Sequence, residues 1–262
     1  MLKFKLLMGQ ADAKTVKGER AGYITAVLYL APSDLSGVNL CAMAKLADCE
    51  IPCLNVSGRG EMAAGGNLTH EMLRSGTRTN TVQLARLRKA KLFNDRPSYF
   101  MLILAQDIAK FVHYARKLGL IPCIRLNGTS DIRWEDIATY NWWPAATVDH
   151  IFGHFPTVQF YDYTKLPNRR RALGIPNYKL TFSYSHAPAF APIVVKALQT
   201  YGSAVNFAAV FAGKKLPEFF LGRRVINADS SDLRFLDEPG VVCGLTAKGT
   251  AKKNPTSFVV PA

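Results

Sequence analysis

Tyr23-Ile-Thr-Ala-Val-Leu-Tyr-Leu-Ala31, closed by Pro32, has the β-branched and aromatic richness of a buried strand. It gives way to Cys41-Ala-Met-Ala-Lys-Leu-Ala-Asp-Cys49-Glu-Ile-Pro-Cys53 and then to the polar, glycine-rich Asn55-Val-Ser-Gly-Arg-Gly60. Three cysteines so close together, in a loop that leaves a strand, point to chemistry. Thiolates suit soft metals and iron–sulfur clusters, and three from one loop leave a further metal position open for water, substrate or a distant ligand. The competing reading is burial, since cysteine is among the most buried residue types, or a structural zinc completed by a histidine.

Outward from that stretch, a short N-terminal strand precedes Tyr23, and strand-like runs recur at Ile121–Leu126, Val158–Tyr163, Tyr178–Tyr184, Ala204–Phe211, Arg223–Asn227 and Val241–Thr246. Between them lie a basic, partly helical insertion at about 68–93 and a strongly amphipathic helix running from Tyr99 to Leu118. Asp95 is its expected cap, Pro97 stands in its first turn and Gly119 is its stop. Shorter helical segments are expected at Trp134–Tyr140 and Pro192–Tyr201. Strand, crossover, strand in repetition predicts an α/β fold with mainly parallel strands. With no repeat and no interdomain linker, residues 1–262 read as a single domain. Functional groups in such folds gather beyond the carboxyl ends of the strands, so Arg125, Asn127, Asp162, Lys165, Ser183, Ser185, His186, Asn227 and Asp229 are expected to converge near the cysteine loop.

The chain carries 33 basic against 19 acidic residues, a formal charge of +14, which biases the search for partners towards nucleic acid or a nucleotide. Arg78, Arg86, Arg88, Lys89 and Lys91 form one candidate phosphate-contacting segment and Arg169-Arg170-Arg171 another, with a solvated basic surface as the plain alternative. No apolar run approaches the roughly 20 residues of a membrane span, and the N-terminus lacks a secretory cleavage pattern. Five cysteines, two of them (Cys123 and Cys243) inside apolar strands where they are expected buried and unligated, suit a reducing cytoplasm better than a disulfide framework.

A first long strand, a three-cysteine loop and alternating strands and helices resemble the core of the radical S-adenosylmethionine enzymes, whose fold is a partial (β/α) barrel. The resemblance implies that Cys41, Cys49 and Cys53 ligate a [4Fe–4S] cluster and that S-adenosylmethionine chelates the remaining iron. It departs in spacing: seven residues separate the first two cysteines here and three the second pair, against three and two in that superfamily. The chain also resembles a family of phage-encoded proteins of unknown function over nearly its whole length. That likeness is carried by Gly22 to Pro32, the cysteine loop through Gly60, Arg125-Leu-Asn-Gly-Thr-Ser-Asp131, Phe160-Tyr-Asp-Tyr-Thr164 and Asp232-Leu-Arg-Phe-Leu-Asp237, and it implies a viral origin.

On this reading Arg125 and Asp162 are the candidate catalytic residues, and Gly58, Arg59, Gly60, Asn127 and Ser183 the candidate cofactor-binding ones. A glycine-rich loop can present backbone N–H groups to a carboxylate or phosphate, although Ser57-Gly-Arg-Gly60 matches no phosphate-loop or dinucleotide spacing and is equally a plain flexible loop. Asp131, Asp229 and Asp232 could act as bases or hold a ribose, or simply cap turns. His186 is the best-placed histidine for a metal, with zinc as the alternative to the cluster, and Tyr140, Trp142 and Trp143 could stack on bases or anchor a loop.

Overall fold

A computed structural model describes residues 5–9, 18–62, 65–139, 148–253 and 256–261, without the side chain of Arg59. The strands are β1 (Leu7–Gly9), β2 (Tyr23–Leu28), β3 (Ile121–Arg125), β4 (Gln159–Thr164), β5 (Tyr178–Ser183), β6 (Asn206–Phe211), β7 (Phe219–Phe220), β8 (Arg223–Asn227) and β9 (Val242–Thr246). They form a nine-stranded sheet in the order β1-β2-β3-β4-β5-β6-β9-β8-β7. β2 through β6, β9 and β8 all run parallel, and only β1 and β7 pair antiparallel with their neighbours. Where a partial barrel is expected, the strands form an open, mostly parallel sheet: β1 and β7 are its edges and no pairing among the described residues joins them.

Strand order equals chain order from β1 to β6, so the right-handed crossovers between β2 and β6 pass on one side, whereas the β8–β9 connection runs back towards β6 and lays Phe235 on Tyr23 and Tyr161 of the other face. The alternation of side chains records this. Ile24, Ala26, Ile124, Phe160, Phe182, Phe207 and Ala209 point into the main core with the helices, while Tyr163, Ala208, Cys243 and Leu245 belong to a smaller cluster on the other face. Cys123 and Cys243 are fully buried within their strands, as the sequence led us to expect.

Helix α1 (Thr81–Asp95) opens on the Asn80 side chain, which accepts from the Gln83 N–H at 2.9 Å, and helix α2 (Pro97–Lys117) follows almost at once. The expected cap of α2 is corrected: Asp95 ends α1, Arg96 is the N-cap of α2, and Pro97 supplies the preset first turn. Phe100, Leu104, Ile108, Phe111 and Ala115 on α2 are fully buried, each large apolar side chain contributing about 1.5–3 kcal/mol. Gly119, at φ 68°, releases the chain into β3. Helix α3 (Ala191–Tyr201) covers β5 and β6 through Val194, Ala197 and Tyr201. The segment expected to be helical from Trp134 forms only a 3-10 turn, Trp134–Asp136. No helix among the described residues is long and apolar enough to cross a membrane.

Gly128, just past β3, is where the fold leaves no room. A Cβ there would lie 2.6 Å from Val27 Cγ1, 2.7 Å from the Leu28 carbonyl and 2.8 Å from the Tyr29 ring. We expect Gly128→Ala to lower the unfolding free energy by about 1–3 kcal/mol in urea titration, since two of those neighbours belong to a packed strand and its backbone. Gly174→Ala, with no neighbour of its Cβ nearer than 3.6 Å, should leave stability unchanged or slightly raised.

Candidate functional site

The turn after β3, the body of β4 and the start of β5 are tied to one another by a buried polar relay. The Asp162 carboxylate accepts the Asn127 N–H at 2.7 Å and the Tyr178 hydroxyl at 3.1 Å. Arg169 donates to that same hydroxyl at 2.8 Å and grips Glu135 with two bonds of 2.8 and 2.5 Å. Asn127 spends its own side chain locally: its carbonyl accepts from Ser130 Oγ, Ile132 N and Trp134 Nε1, and its amide donates to the Ile132 carbonyl. Burial pushes Asp162 up to about 7 against the pull of these donors. Asp162 does not line the cavity described next, its carboxylate being engaged by the Asn127 N–H and the Tyr178 hydroxyl.

In front of that relay lies a cavity of ≈ 600 Å³. Cys41, Cys49 and Cys53 form one wall, Arg125, Tyr163 and Ser183 the strand-end floor, and Lys165, Asp229, Asp232, Lys248 and Phe258 complete it. Arg125 donates to Asp232 at 2.9 Å and lies over the Tyr163 ring at 5.1 Å. Lys248 donates to Asp229 at 2.7 Å on the rim. Lys165 donates to Ser183 Oγ at 2.6 Å, with its ammonium 4.6 Å from the Phe258 ring centroid. Of the sequence candidates, then, the three cysteines, Arg125, Asn127, Asp131, Lys165, Ser183, Asp229 and Asp232 share this space.

The cysteine loop is secured from two sides. Arg86 on α1 is buried and donates to the Asn55 carbonyl at 3.0 Å and to its side-chain oxygen at 2.8 Å, and Gln83 donates to the same carbonyl at 2.6 Å. From far along the chain, Thr256 Oγ1 donates to the Asp48 carbonyl at 2.6 Å, and Ser257 donates to the Asp48 carboxylate through both N–H (2.9 Å) and Oγ (2.6 Å). Within the loop, Cys41 Sγ donates to the Thr129 carbonyl, Cys49 Sγ to the Ala44 carbonyl, and the Asn55 N–H donates to Cys53 Sγ at 3.4 Å.

Burial pushes all three thiols up, Cys53 to about 12, although Lys165 pulls Cys49 and Cys53 back in part. Without a cation they stay protonated at neutral pH. Negative charge on Cys53 or Cys49 also raises Cys41, so the sulfurs are near enough to feel one another. Among the described residues, however, no three His, Cys, Asp or Glu side chains are grouped to hold a single metal ion.

The remaining candidates lie elsewhere. Gly58 and Gly60 back the cysteine loop, Gly60 being packed on the Asn55 carbonyl, and neither lines the cavity; the Arg59 side chain lies outside the described residues, as do Tyr140, Trp142 and Trp143. His186 pairs with the Tyr184 hydroxyl at 3.3 Å rather than joining the cysteines. In the basic segments Arg86 and Arg169 are buried in structural bonds and Lys89 donates to the Leu6 carbonyl at 2.9 Å. Arg171 pairs with Asp149 and Asp136, leaving Arg88, Lys91 and Arg170 exposed and Arg78 half-buried. Sequence reading missed Phe258, Lys248 and the Asp48 clasp, because their roles depend on contacts across more than 200 positions or on a rim with no local motif.

The sequence model of a family described as Gene product 88 matches residues 5–262. No curated protein and no solved structure matches the chain.

Removing Arg169 leaves Glu135 buried without its partner, so Arg169→Met should cost about 3–5 kcal/mol, and adding Glu135→Gln should recover part of it; urea denaturation of the single and double variants measures both. His70 is buried against Asn55, and burial lowers its pKa to about 4. The unfolded chain takes up this proton near pH 6.5 and the folded chain only near 4. Stability is thus lost as pH falls between those values, by roughly 3 kcal/mol from this group. Asp162, held up at about 7, acts with the opposite sign in the same window. The comparison of wild type with His70→Asn at pH 7 and pH 4.5 isolates the histidine: the variant should lose less stability on acidification.

Proposed function

This chain belongs to the Gene product 88 family, a phage-type family of unknown function, and we propose that it is an iron–sulfur enzyme of radical S-adenosylmethionine type. Cys41, Cys49 and Cys53 would hold a [4Fe–4S] cluster on the cavity wall, and the substrate would be a nucleotide or nucleic acid. The observation that carries the reading is the position of three thiols from one loop on one wall of a cavity, at the carboxyl ends of a parallel sheet whose strand order follows the chain. When bound, the cluster supplies a single electron for cleaving the sulfonium of S-adenosylmethionine.

The chain's own residues supply the setting. Arg86 and Gln83 hold the Asn55 carbonyl, which orients the Asn55 N–H that donates to Cys53 Sγ. A hydrogen bond to a ligating sulfur is one of the levers on a cluster's potential. Met43, Pro52 and Leu54 give the wall an apolar lining that limits water, and Arg125, held by Asp232, presents a fixed positive charge to a carboxylate. The open face of the sheet leaves the cavity accessible to a second molecule.

Anaerobic reconstitution with ferrous iron and sulfide tests this directly. We expect a brown protein containing iron and sulfide in equal amounts, loss of iron on changing any one of Cys41, Cys49 or Cys53 to serine, and an electron paramagnetic resonance signal of the reduced cluster that shifts on adding S-adenosylmethionine. A chain that stays colourless, or one that carries zinc through purification, would return the cysteines to a structural role. A cluster whose signal ignores S-adenosylmethionine would remove the radical-enzyme assignment while keeping the iron.

A further inference from the structure

The cavity holds more hydrogen-bond donors than its own acceptors use. Its carboxylates are engaged: Asp232 by Arg125, Asp229 by Lys248 and the Thr246 N–H, and Asp131 by Thr164 Oγ1 and the Lys165 N–H. Lys165 has no such partner. Its ammonium donates to Ser183 Oγ at 2.6 Å and, at 3.4 Å, to the Ser183 carbonyl, and it forms no ion pair among the described residues. Three N–H groups serve two neutral acceptors, so one remains. Ser183 Oγ, accepting from Lys165, keeps its own O–H proton without an acceptor among the described residues. Arg125 is nine-tenths buried, and its Nε has no hydrogen-bond partner among the described residues.

These donors are neighbours in the fold. Arg125, Tyr163 and Ser183 end the adjacent strands β3, β4 and β5 on one face, and Lys165 follows β4 by one residue. A half-buried ammonium and a free hydroxyl proton beside one space, next to a buried guanidinium, are costly unless an acceptor-rich group fills it. Phosphate and carboxylate have that character, and both favour charge-assisted donors of this kind. Around the donors the wall is apolar, with Val210, Leu245 and Phe258, and a volume of ≈ 600 Å³ suits a ligand of nucleotide size.

We propose that Lys165, with Ser183 and Arg125, forms an anion-recognition site for a ligand carrying a phosphate or carboxylate on an apolar or aromatic body. The site does not require anything bound to the cysteines. It names the chemical class of the molecule that enters beside them, and it makes Lys165 the residue that discriminates anion from neutral analogue.

The test uses the full chain, first metal-free and then after reconstitution, in calorimetric titrations with two matched pairs: adenosine 5′-monophosphate against adenosine, and 3-phenylpropionate against 3-phenylpropionamide. In at least one pair the anion should bind tenfold or more tightly over its neutral partner, and the pair that shows it assigns phosphate or carboxylate. Lys165→Met should abolish the preference, and Lys165→Arg, which keeps the charge, should retain it. A thermal melt of each unliganded variant checks that the fold is intact. Equal binding within both pairs, no binding of any probe at millimolar concentration, or a preference that survives in Lys165→Met would each overturn the site. Because the metal-free protein is measured first, a failed cluster and a failed anion site give different results.

Discussion

The bond from the Asn127 N–H to the Asp162 carboxylate is the constraint on which the cavity depends. It fixes the turn that leaves β3 against the end of β4, and Tyr178 carries the same carboxylate on to Arg169 and Glu135. Gly128 sits directly after this bond and presses on the Leu28 carbonyl, so the loop that follows can only run across the end of β2. Thr129 then donates to the Leu30 carbonyl at 2.6 Å, and its own carbonyl receives Cys41 Sγ. One carboxylate thus sets the relation between the strand ends and the thiol wall. A network of this kind adds little net stability over an apolar core, but breaking a single member leaves charge stranded in the interior.

Much of the fold was legible because its signals are local. β8 runs over the residues expected, the other long strands match within a few residues, and α2 announces itself through a repeated apolar stripe. What failed to show had physical reasons. α1 gave only a narrow stripe because the face it turns inward is polar, with Gln83 and Arg86 facing a carbonyl of the cysteine loop rather than an oil-like core. The site was half legible. Strand ends located Arg125, Asn127 and Ser183 in the cavity, but the same rule also pointed to Asp162, whose carboxylate is taken up outside it by the Asn127 N–H and the Tyr178 hydroxyl. Alternation along a strand says which face a residue takes, not whether its polar atoms are already engaged.

The basic composition reads differently once burial is known. Arg86, Arg125, Arg169 and Arg234 are all buried, each bonded to protein oxygen. Arginine suits this use because its planar fork reaches several acceptors and stays charged when desolvated. Part of the excess positive charge therefore serves as internal scaffolding around the sheet's mouth. A charge sum taken along the sequence overstates what the surface offers to a polyanion.

The clasp on Asp48 carries a consequence for biosynthesis. Its partners, Thr256 and Ser257, are translated 208 and 209 positions after it. Until those late residues emerge from the ribosome the outer end of the cysteine loop lacks this clasp, although Arg86 and Gln83 on α1 and the Ser185 hydroxyl on the Ala47 carbonyl can already hold the loop. Nascent chains accordingly pass through a stage in which the sheet and α1 can form but the thiols still face an unsealed entrance. Oxidation of the thiols has its widest access during that interval.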